Sequence, residues 1–185
     1  AIVHTHAVHC TALACLPDVQ RRGIPAFHYM VAAAGGAVGA VGVGGLLYAT
    51  NARRLIPRLG ERRLMTLGGA VIAAGFLALA LFARPPAGAA TWAAALAGCT
   101  LVGLGFYMLH NTMQTLATQL APEARATAIG LFAVSLFVGQ AAGVAVSARV
   151  GAALGHEAVM AAAGLLLAGL GAALGAAVGR RKKAS

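Results

Sequence analysis

The sequence predicts an all-α fold: a polytopic bundle of transmembrane helices. Three observations predict it. Hydrophobic residues make up 60% of the 185 residues and charged residues only 10%, where a soluble domain carries about 25% charge. The mean hydropathy is +0.83. Apolar runs recur at the roughly 20-residue length that a helix needs to cross a bilayer core of about 30 Å, and the Lys and Arg residues collect between those runs. Such a composition excludes a disordered chain, a collagen-like chain and a soluble enzyme of ordinary make-up.

The elements follow in chain order. Residues 1–28 form an irregular N-terminal segment that contains His4, His6, His9, His28, Asp18, Arg21 and Arg22, broken by Pro17 and Pro25. It holds no apolar window of about 18 residues, so it is read as a partial span at most. The chain opens on Ala1 without the basic start and apolar core of a signal peptide, and its beginning is expected to be missing. Residues 29–183 form the bundle, with five spans. The first, 29–50, is glycine-dense, with Gly35 and Gly39 at GxxxG spacing; small residues let helices approach closely in lipid. A basic loop, 51–63, carries five arginines with Pro57 and Gly60 as breakers. The second span, 64–83, has almost no polar side chain and ends at the Arg84-Pro85-Pro86 turn. The third, from Trp92 to about Leu120, starts on an aromatic of the interfacial kind. The fourth, 126–149, follows the polar connection 121–125 and carries Ser135, Gln140 and the Gly139/Gly143 pair. The fifth, 158–179, follows a turn around Gly155 and spaces Gly171, Gly175 and Gly179 four apart. The tail is Arg180-Arg181-Lys182-Lys183.

Charge sets the orientation. With five spans, loop 51–63, Arg125 and the tail share one side. Only Arg21, Arg22, Arg84 and Arg149 fall on the other. The positive-inside rule then puts the C-terminus in the cytoplasm of a cell (inner) membrane protein, with lipid as its surroundings. The net charge of +10 is spent on topology, and no basic surface interleaved with aromatics points to nucleic acid.

Functional candidates are few. Asp18, Glu61, Glu123 and Glu157 are the only acids, and all lie in loops or at span ends. The third span carries Tyr107, His110, Asn111, Gln114 and Thr118 at i, i+3, i+4, i+7 and i+11, one face of a helix. Such a face in lipid needs partners. It reads either as interhelical hydrogen bonding or as the wall of a substrate cavity, to which Gln140 is added. Arg58, Gly60, Arg62 and Arg63 read as a cytoplasmic gate or as topology signals. His4, His6, His9 and Cys10 are donor types that suit zinc or copper. Without a second ligand pair they are read as an exposed end, and no metal and no cofactor is expected. Cys10, Cys15 and Cys99 make no disulfide framework. HExxH, GxSxG and P-loop motifs are absent, so no enzyme is expected.

Three stretches together carry a family resemblance. Gly44-Gly45-Leu46-Leu47-Tyr48 leads to Arg58-Leu59-Gly60-Glu61-Arg62-Arg63. Gly103-Leu104-Gly105-Phe106-Tyr107 continues through Asn111 to Gln119. Ala121-Pro122-Glu123-Ala124-Arg125 precedes an apolar run to Gly139-Gln140. In this arrangement the chain resembles the C-terminal half of a major facilitator superfamily transporter, a bacterial efflux-type permease. The resemblance implies a fragment of a secondary transporter that moves a small molecule by alternating access, with the N-terminal helix bundle missing as its partner. The helix resembled by the third span lines the cavity of that family. The competing expectations are an inactive remnant, or a small structural membrane protein that oligomerises through GxxxG faces.

Overall fold

In a computed structural model, residues 28–82 and 88–184 are described. They form helices connected by short breaks, with no strand among the described residues. The all-α class therefore holds. The chain divides into two units, Ala1–Gly36 and Ala37–Ser185. Of the first unit, residues 28–36 are described and are helical. The expected irregular segment and the Arg84-Pro85-Pro86 turn otherwise lie outside the described residues.

The helices are α1 (His28–Phe82), α2 (Ala89–Leu120), α3 (Arg125–Leu154) and α4 (His156–Ala184), with a 3-10 turn at Pro122–Ala124 between α2 and α3. Among the described residues, four helices are long and apolar enough to cross a membrane. In the first of them that stretch runs Ala37–Leu81, 45 residues, or about 68 Å at 1.5 Å per residue. One crossing needs less than half of that. The helix is broken once, at Gly60 (φ 68°, ψ 168°). The break yields two arms, corresponding to the first two expected spans.

The basic loop expected over 51–63 is not a loop. Helix runs through Pro57 and stops only at Gly60. Arginine is a good helix former, and Arg53, Arg54 and Arg58 stay exposed along the helix. Pro57 is itself exposed, so the carbonyl left without a proline N–H partner lies at the surface. Gly60 adopts a conformation essentially restricted to glycine, which explains why the chain turns there. Gly155 (φ 86°) ends α3 in the same way and donates its N–H to the Gly151 carbonyl at 3.0 Å.

Small residues bring the helices of the second unit together. On the first arm of α1, a Cβ at Gly44 would collide with the Thr100 carbonyl and the Leu104 amide of α2. At Gly103 of α2 it would collide with Val41. On the second arm, Gly75 faces Gly98 of α2, where a Cβ would sit 2.7 Å from the Gly98 carbonyl oxygen. The opposite side of this arm meets α4: a Cβ at Gly69 would lie 2.7 Å from the Leu167 oxygen, and one at Gly171 2.6 Å from the Met65 oxygen. The second arm thus lies between α2 and α4. Two apolar clusters fill its sides. Tyr48, Leu64 and Met108 form one; Met65, Ile72 and Leu109 form the other, with Phe76 and Leu167 against it. Packing of this kind depends on small residues that let helix backbones approach closely.

The expected GxxxG pairs differ in use. Gly171 and Gly175 make close contact, but a Cβ at Gly139 or Gly143 would meet nothing within 4 Å. Helix α3 touches α2 and α4, yet Leu131, Phe137 and Val144 remain mostly exposed.

Candidate functional site

The C-terminal half of α2 carries a run of polar side chains from Tyr107 to Gln119. Its threonines satisfy themselves. Thr112 donates to the Met108 carbonyl at 2.7 Å, Thr115 to Asn111 at 2.8 Å and Thr118 to Thr115 at 2.7 Å. Back-bonding of this sort removes the need for an interhelical partner. No buried side-chain N or O lacks a partner among the described residues.

Two cavities flank this half-helix. The first, about 590 Å³, is mostly apolar, with Met65, Met113, Phe132 and Leu174 on its wall and Glu61 and Gln119 as its polar members. The second, about 520 Å³, is lined by Tyr48, Glu61, Asn111, Thr112, Thr115 and Gln119 among others. Glu61 and Gln119 border both. The groups offered are one carboxylate, two amides, hydroxyls and a phenol. They can hydrogen-bond a solute. No group of three metal-type ligands exists among the described residues.

The expected stripe is divided by the structure. Asn111 lines the second cavity. Tyr107 is partly exposed, its ring against Gly45 of α1 and edge-on to Phe106 at 5.6 Å. His110 lies between two aromatic rings, stacked on Phe106 at 5.1 Å and tilted against Phe132 of α3 at 5.3 Å. Gln114 is half-buried and Gln140 is exposed on α3. Arg58, Arg62 and Arg63 are exposed around the Gly60 break, and the Arg62 side chain lies along Gly179 of α4. Asn111 was expected; the members of its polar wall that sequence reasoning missed are Thr112, Thr115 and Gln119 with Glu61. Counted from Asn111, the α2 members are spaced i, i+1, i+4 and i+8, a same-face signal as legible as the one chosen.

Comparison with known proteins points elsewhere. Residues 1–76 match the family model of the Class II Aldolase and Adducin N-terminal domain. The L-fuculose phosphate aldolase of Escherichia coli is 64% identical over 36 residues, which cover 20% of this chain and 15% of that protein. The 5-methylthioribulose-1-phosphate/5-deoxyribulose-1-phosphate aldolase of Rhodospirillum rubrum is 67% identical over 36 residues, 20% of this chain and 14% of that protein. The chain thus spans about 15% of the length of the curated relatives it matches. No solved structure matches.

These findings correct the reading from sequence. The matches are to aldolases, so the major facilitator resemblance, the transport and efflux function drawn from it and the expectation of no enzyme are overturned. The remnant and oligomer alternatives gain nothing from them. The misreading has a physical origin. Apolar helices share composition whatever they do, and glycine spacing and basic loops recur wherever helices pack in lipid. His4, His6 and His9, set aside as an exposed end, lie within the stretch that the family model matches.

Proposed function

We propose that the N-terminal part of this chain carries an aldolase-type function, acting on the carbon–carbon bond of a phosphorylated ketose. The match of residues 1–76 to the aldolase family model carries this reading. The two relatives named above share that substrate class by name. In an aldol cleavage a base removes the hydroxyl proton, the adjacent carbon–carbon bond breaks, an aldehyde leaves, and the remaining enediolate takes up a proton. Imidazoles suit both proton steps, because their ordinary pKa lies near neutrality. His4, His6 and His9 supply three within six residues. The same groups are ligand types for a divalent cation, which would polarise the substrate carbonyl.

The test is an aldehyde-release assay on the full chain in mild detergent, with L-fuculose phosphate or 5-methylthioribulose-1-phosphate and each of several divalent cations. Cleavage is expected, with His4→Ala or His6→Ala lowering it by about 10²-fold or more. No aldehyde from either ketose phosphate under any cation would remove the assignment.

The long apolar helices support a second part of the reading: the chain resides in a cell membrane with its C-terminal tail in the cytoplasm. Five crossings arise if α1 turns back at Gly60. The side-chain contact of Arg62 with Gly179 brings the arginines around the break to the end of α4 that carries Arg180, as the shared-side count requires. Resistance of the chain to alkaline extraction from membranes is the expected result, and recovery in the wash would end this part of the proposal.

A further inference from the structure

We infer that the Gly60 end of the helical unit holds an anionic phospholipid, its headgroup on the arginines and an acyl chain in the cavity beside them. Residues 53–63 place five arginines against one glutamate, and Arg53, Arg54, Arg58, Arg62 and Arg63 are all exposed. Arg62 lies along Gly179, next in sequence to Val178, which lines the cavity of about 590 Å³. That wall is largely Met65, Met113, Leu116, Phe132 and Leu174. A cationic rim joined to an apolar slot is complementary to a molecule with an anionic head and a hydrocarbon chain. Guanidinium groups bind phosphate through paired N–H donors. Glu61 also borders the cavity but is engaged by another group of the protein. An acyl chain supplies the flexible apolar volume that Met and Leu walls accept. A free phosphate ion would use the arginines alone and leave the slot without a function.

The inference rests on the membrane part of the reading above, not on the aldolase part. The test is native mass spectrometry of the full chain in detergent, with phosphatidylglycerol and phosphatidylcholine of matched acyl chains competing. One phosphatidylglycerol per chain should be retained in preference. Arg58→Gln with Arg63→Gln should weaken retention by about fivefold per arginine, while Arg149→Gln on α3 should not change it. Phe132→Gln, on the slot wall, should weaken retention with the arginines intact. Because both arginines are exposed, folding of the double variant is checked by its unchanged melting temperature. Equal retention of the two lipids by a membrane-resident chain would overturn the lipid site and leave the membrane reading standing. Displacement of the lipid by millimolar inorganic phosphate would mean a phosphate site instead and overturn it too. A chain that washes off membranes would overturn both.

Discussion

Gly75 and Gly98 form a contact that no larger residue can share: a Cβ at Gly98 would lie 3.0 Å from the Gly75 carbonyl oxygen and 2.9 Å from a Leu79 methine. Gly75→Val should therefore destabilise the helical unit by about 1–3 kcal/mol, the cost of overpacking a close helix contact. Gly139→Ala, where a Cβ meets open space inside α3, should instead raise stability by about 0.5–1 kcal/mol, the helix-propensity gain of alanine over glycine. Reversible unfolding in detergent measures both, and equal effects would show that the α1–α2 approach is not as close as described. Both positions stand in glycine-rich apolar runs, and spacing gives Gly139 and Gly143 the stronger motif. Which small residues are used depends on which faces meet, a long-range fact absent from local spacing. His110 shows the same limit. Its place on a polar stripe was legible, but the rings that flank it, Phe106 and Phe132, come from two helices.

Among the elements, the Gly60 break decides the architecture. Apolar length made the helices legible, and the two arms of α1 correspond to two of the expected spans. The intervening stretch was misread because proline and dense charge are loop signals, whereas here Pro57 and the arginines are exposed along a continuing helix. The break itself needs one residue. At φ 68° and ψ 168° an L side chain costs about 1–3 kcal/mol. Gly60→Ala should lower stability by that amount, although alanine is the better helix former. A rise in stability on this substitution would mean that α1 can run straight through position 60. The neighbouring contact of Gly175 with Thr66 and Arg62 requires the second arm to start in register with α4.

At the scale of the whole chain, the family-model match covers residues 1–76 and so crosses the boundary between the units Ala1–Gly36 and Ala37–Ser185, while the matches to curated aldolases extend over 36 residues, a fifth of the chain. Composition averages over everything, so the apolar helices dominated it and hid a short segment whose signal lies in residue identity rather than in period. Three histidines in that segment were visible, but donor types alone do not name a reaction. The described core residues, from Ala40 to Leu109, all belong to Ala37–Ser185. Their packing partners in the two apolar clusters belong to the same unit. A chain trimmed to residues 37–185 should lack the aldehyde-releasing activity expected of the N-terminal part, with its helix content in detergent checking that the remaining unit still folds. Activity that survives the trimming would move the chemistry out of the histidine segment and into the helices, where Glu61 and the polar face of α2 would be the groups to substitute next.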